Sequence, residues 1–166
     1  MLLDTSPLAR LMSSELDASR QLFTLLEQEL EAVSHHRTSE LDTLNPAKEH
    51  QVKLLKQQAG TRLEWMKDHQ LPLSAECLQH EAIQSNPEIH PLWQQLAAQY
   101  EANRQISERL SEMVLALRFR AEQKLRILHA RQNDPHLYNE YGKTAGANPG
   151  LNSIEAKWTV RHARGK

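Results

Sequence analysis

Apolar residues recur along this chain at alternating steps of four and three, the spacing of a helix that buries a seam against a neighbour. The first run is Met12, Leu16, Ser19, Phe23, Leu26, Leu30 and Val33, and a weaker stripe passes through Leu11, Ala18, Leu22 and Leu25. Two stripes on one helix imply two neighbours. Ser6 and Pro7 offer an N-cap and a first-position proline, so the helix is predicted to begin near Pro7. After a break, Leu41 and Leu44 predict a short turn of helix facing inward. Asn45-Pro46 repeats the cap-plus-proline signal, and a second long helix is predicted from there through Val52, Leu55, Ala59, Leu63 and Met66. Gly60 lies inside it at a cost of about 1 kcal/mol relative to alanine, which reads as a tolerated kink or a close helix crossing.

Pro72, Pro87 and Pro91 break the region 70–91, where Ser74 can cap a short helix to about Gln84 and Asn86-Pro87 can open the last one. From Leu92 to Arg131 there is neither glycine nor proline. A helix of that length is about 60 Å long. Its main stripe is Trp93, Leu96, Tyr100, Asn103, Ser107, Leu110, Val114, Leu117, Ala121 and Leu128, and Ile106, Met113 and Ile127 widen it. A face this wide suits a helix packed on two others, and Asn103, shared by both stripes, reads as a buried residue that fixes register. The predicted fold is all-α: an elongated antiparallel helical bundle, or coiled coil, of three main helices with a flexible C-terminal tail. Four of the five glycines fall at or after Gly142, so residues 1–131 are read as the helical body and 132–166 as the tail.

Composition supports thin helices over a thick core. Of 166 residues, 25% are charged and only 5% aromatic. The formal net charge of −1 does not mark a general polyanion binder. The lone Cys77 excludes an internal disulfide framework and fits a reducing cytosol. The opening MLLDTSPLARLM lacks the charged-then-apolar pattern of a signal peptide. No stretch approaches the roughly 18 apolar residues of a membrane span. A cytoplasmic location without stable membrane insertion is expected.

The residues offer little chemistry. The adjacent His35 and His36 point to different helix faces, no His-x-x-x-His pair occurs, and nothing fixes His80 against His90, so the nine histidines read as solvated. Cys77 has no companion thiol or histidine motif and reads as inert. Neither a phosphate-cradling glycine loop nor a Gly-x-Ser-x-Gly turn occurs. No catalytic residue, metal site or cofactor is expected, and the chain is not read as an enzyme. The basic run Arg118, Arg120, Lys124, Arg126 and Arg131, with Glu122 the only acid, reads as a solvated face. A nucleic-acid reader would add stacking aromatics, so no nucleic-acid partner is expected. A nucleic-acid-associated helical regulator and a structural coiled-coil oligomer remain as alternatives.

The tail adds a second surface. Leu151, Ile154 and Trp158 would share one face if that segment became helical on a partner, and from Lys143 onward the bases Lys143, Lys157, Arg161, Arg164 and Lys166 outnumber the single acid, Glu155. The long helix ends in Leu125, Ile127 and Leu128, followed by Leu137-Tyr138 and then Gly142-Lys143-Thr144. This order resembles the FlgN family of flagellar type III export chaperones. The long first helix, the Leu41–Leu44 turn and the Lys48-Glu49 start of the next helix agree, so the resemblance spans about residues 5–145. It implies a chaperone for the hook–filament junction proteins FlgK and FlgL that prevents their premature assembly and docks on the export-gate protein FlhA. It further implies that Tyr138, with Leu137 beside it, contacts the gate, although Tyr141 could serve instead. Client binding is expected at Leu125 and Leu128 and at the tail residues Leu151, Ile154 and Trp158.

Overall fold

A computed structural model of the chain describes residues 2–133. Among them there are four α-helices and no strand: α1 (Ser6–Ser34), α2 (Thr38–Asp68), α3 (Glu81–Gln84) and α4 (Ile89–Asn133), with a 3-10 turn at Ala75–Gln79. The chain divides into two compact units, Met1–Val114 and Leu115–Lys166. The fold is all-α, and its three long helices, α1, α2 and α4, pack against one another.

Within the first unit the direction of each helix follows from its cross-links. Glu15, Ala18 and Glu29 of α1 meet Arg62, Gln51 and Lys48 of α2 in descending order, so the pair is antiparallel. Glu15, Ser19 and Ser34 meet Tyr100, Asn103 and Met113 of α4 in ascending order, so α4 runs parallel to α1. Both predicted α1 stripes are in use. Met12, Leu16, Ser19, Leu26 and Val33 are buried on one, and Ala18 and Leu22 on the other.

The apolar core lies where α1 and α4 begin and α2 ends. Leu8, Met12, Met66, Cys77, Ile83 and Ile89 are fully or almost fully buried there, with Trp65, Leu78, Leu92 and Trp93 packed against them. Each such aliphatic side chain contributes about 1.5–3 kcal/mol by burial. The segment between α2 and α4 closes this end. Ser74 Oγ accepts the Glu76 N–H and His80 Nδ1 accepts the Ala82 N–H. Asn86 Nδ2 donates to the Thr5 hydroxyl at 3.0 Å, tying the start of α1 to the approach to α4. His80 thus caps a helix and His69 stacks on Trp65 with ring centroids 4.0 Å apart, while both stay exposed, as the solvated reading expects. Cys77 is buried, and that burial raises the pKa of its thiol.

Three local expectations need correction. Helix α1 starts one residue early, at Ser6, with Thr5 as N-cap, and the Ser6 N–H is taken by Asp4 Oδ1 at 3.0 Å. That bond holds the Asp4 carboxyl below its usual pKa. The Leu41–Leu44 turn and the helix expected to start at Asn45-Pro46 are one continuous helix, with Pro46 in its interior. Proline there removes one intrahelical bond and crowds the preceding turn. Pro46 is exposed, while half-buried Leu41, Leu44 and Lys48 hold the inner face, so packing outweighs the local break. Gly60 is not a close crossing, because a Cβ added to it would meet nothing within 4 Å.

The C-terminal ends of α1 and α2 share one device. His36 and Gln70 adopt positive φ, 55° and 58°. The following residues then donate back into the helix, Arg37 N–H to Ala32 O at 2.8 Å and Leu71 N–H to Met66 O at 2.9 Å. This six-to-one closure satisfies otherwise orphaned carbonyls and usually employs glycine.

Candidate partner-binding surface

Within the first unit polar layers join α4 to the other helices, beside the apolar contacts of Ile89, Leu92 and Trp93. Glu15, fully buried on α1, accepts from Arg62 Nε at 2.5 Å and Nη2 at 3.2 Å, and from the Tyr100 hydroxyl at 2.5 Å. One residue from each long helix therefore meets at this carboxylate. Arg62 also lies over the Trp93 ring, 5.8 Å from its centroid, where the ring face attracts the cation. Burial, and then the bond to Glu15, push the Tyr100 hydroxyl far above its ordinary pKa, which keeps it a donor. One turn further on, Asn103 Nδ2 donates to Ser19 O at 3.0 Å and to Ser19 Oγ at 2.9 Å, and its Oδ1 accepts from Gln99 at 3.1 Å. On the other side of α1, Gln51 Nε2 donates to Ala18 O at 2.9 Å, and Lys48 bridges both oxygens of Glu29 at 2.9 Å. Such layers accept only one register, because a slip strands a buried polar group. Above them α1 and α4 bound a groove of about 560 Å³ lined by Phe23, Leu30 and Ile106 with Glu27, Glu31 and Arg109.

The second unit presents a different surface. On its part of α4, Leu115, Phe119, Leu125, Ile127 and Leu128 are each more than half exposed. Singly exposed apolar residues are ordinary, but here five fall within fourteen positions of one helix, spread over more than one of its faces. Leu115 and Phe119 are one turn apart, and Leu125 and Leu128 lie on another face with Leu117. Arg118, Arg120, Lys124, Arg126 and Arg131 surround them, against Glu122.

Of the residues expected to bind partners, Leu125 and Leu128 stand exposed on this helix. Leu137, Tyr138, Tyr141, Leu151, Ile154 and Trp158 lie outside the described residues, as does the 132–166 segment from Asp134 onward. Leu115 and Phe119 were not anticipated, since they fall off the heptad stripe; their i, i+4 spacing was the available signal. The Glu15 node was also missed, yet Glu15 fills the empty slot of the second α1 stripe between Leu11 and Ala18.

Among the described residues no cluster of His, Cys, Asp and Glu could hold a metal ion, and no helix is long and apolar enough to cross a membrane. A register-locked bundle carrying a helix with uncovered apolar faces defines a helical interaction protein. The chain belongs to the FlgN family: the family model described as FlgN protein matches residues 1–146. FlgN proteins are flagellar export chaperones, a non-enzymatic class that binds export substrates. No curated protein and no solved structure gives a significant match to the chain.

Proposed function

We propose that this protein is the cytoplasmic chaperone of the hook–filament junction proteins FlgK and FlgL, and that it delivers them to the export gate at FlhA. The supporting observation is the exposed apolar run Leu115–Leu128 on α4 in a member of a chaperone family. Junction subunits kept from assembling must hide an amphipathic helical segment, and a helix with open apolar faces can take it up. In this reading residues 1–131 form the body. Residues 132–166 form the arm that reaches the gate through Leu137 and Tyr138, or Tyr141, and adds Leu151, Ile154 and Trp158 to the client contact.

Co-purification of the full chain with FlgK or FlgL tests the proposal. A stoichiometric complex is expected with the wild type, and its loss with Leu125→Asp/Leu128→Asp. Leu137→Ala/Tyr138→Ala should keep the client and lose FlhA. Absence of a complex with either subunit, or complexes untouched by the leucine changes, refutes the assignment.

A further inference from the structure

One heptad frame runs along α4 through both units. The frame that runs through Trp93, Leu96, Tyr100, Asn103, Ser107 and Leu110 continues at the same steps to Val114, Leu117, Ala121, Lys124, Leu128 and Arg131. In the first unit, both buried or half-buried polar residues of this frame have a matched group on α1. Tyr100 donates to Glu15, and Asn103 donates to Ser19. Ser107 is exposed. The next polar positions of the frame are Lys124 and Arg131, seven residues apart, both exposed, with half-buried Leu117 and exposed Ala121 and Leu128 around them. Among the described residues no carboxylate pairs with either cation.

A cation at a seam position is tolerated when the facing helix supplies an anion and is penalised when it supplies a leucine or another cation. A second copy of this chain would bring such cations together, which disfavours self-pairing along the frame. We propose that the 117–131 face of α4 is built for an amphipathic helix that carries a carboxylate at one core position of each heptad, so that two acids seven residues apart meet Lys124 and Arg131. The proposal rests on the reading that a partner helix docks on this part of α4, and it adds the chemistry by which that helix is chosen. Exposed Arg118 and Arg120 lie next to the same face and attract the same partner during encounter.

Two synthetic helices of about three heptads serve as probes. One has leucine at one core position and glutamate at the other; its twin has lysine for glutamate. Neither contains a junction-protein sequence, so their behaviour is independent of whether FlgK or FlgL is the client. Binding to the full chain is followed by fluorescence anisotropy at fixed salt, with far-ultraviolet circular dichroism to confirm that each variant keeps its helicity. The glutamate helix should bind about tenfold or more tightly than the lysine helix, the scale of a reversed charge at an interface core. Lys124→Glu/Arg131→Glu should invert the order. Lys124→Leu/Arg131→Leu should erase the preference and, by light scattering, promote self-association. Equal binding of both helices, binding of neither, or a preference unmoved by charge reversal overturns the inference. So does a wild-type chain that already pairs with itself through this face and shuts both helices out.

Discussion

Replacing Arg62 by methionine should cost this protein a large part of its stability. Glu15 has a fully buried side chain, and Arg62 is only 12% exposed. Arg62 supplies two of the three bonds to the Glu15 carboxylate. Methionine keeps most of the stem volume but leaves a buried carboxylate facing a single phenol. Breaking a buried pair from one side typically costs about 3–5 kcal/mol. Total stability of a domain is about 5–15 kcal/mol, so the single variant should sit close to its unfolding threshold. Tyr100→Phe removes one bond to a charged acceptor and should cost about 1.5–3 kcal/mol. The triple change Glu15→Leu/Arg62→Met/Tyr100→Phe removes the whole node, and such replacements are often neutral or stabilising. Urea titrations followed by circular dichroism, arranged as a mutant cycle, give each value and the coupling. The pH dependence is a second readout. The Tyr100 hydroxyl has a raised pKa in the fold, so its contribution is complete below about pH 10, the unfolded value, and is lost as pH rises beyond it. Tyr100→Phe should flatten that alkaline decline. An Arg62→Met chain within about 1 kcal/mol of wild type would refute the reasoning, because an unpaired buried carboxylate cannot be that cheap.

Three backbone predictions accompany it. Gly60→Ala should stabilise by about 1 kcal/mol, since the added Cβ has open space and the helix gains propensity; a loss on thermal unfolding would contradict this. His36→Gly and Gln70→Gly should each stabilise by about 1 kcal/mol by relieving the positive φ, read as a higher urea midpoint at constant slope. Pro46→Ala should raise stability by up to about 3 kcal/mol by restoring an interior helical bond, with native-state hydrogen exchange slowed around Asp42–Pro46.

The seams of α1 and α4 were legible because each buried position repeats with the helical period. Met12, Leu16, Ser19, Leu96, Asn103 and Leu110 all fall where the spacing puts them, and all are buried. Asn103 could be assigned to register from its place on two stripes, and its bonds to Ser19 bear that out. Pro46 misled because a proline signal is local, whereas the half-burial of Leu41 and Leu44 and the bridge from Lys48 to Glu29 are tertiary. Glu15 was hidden for the same kind of reason. A glutamate in a heptad gap looks solvated until Arg62, 47 positions later, is known to face it. The exposure of Leu125 and Leu128 was beyond pattern reading, since periodicity reports that a residue is apolar and on a face, not whether that face is covered.

Along one uninterrupted helix the same heptad frame meets two environments. In the first unit α4 spends its frame on the bundle: Leu96 and Leu110 are buried, and the polar slots Tyr100 and Asn103 find their complements on α1. In the second unit the frame carries half-buried Leu117 and exposed Leu128, with Lys124 and Arg131 between and beyond them. A run of leucine at all of those positions would be a strong homomeric coiled coil and a poor chaperone, because it would pair with itself before meeting a client. Two cations in the seam weaken that self-pairing while leaving enough apolar area for a helix that brings the opposite charge. The number and position of charged residues on α4, rather than its total hydrophobicity, therefore decide whether its open face waits for a partner or closes on a copy of itself.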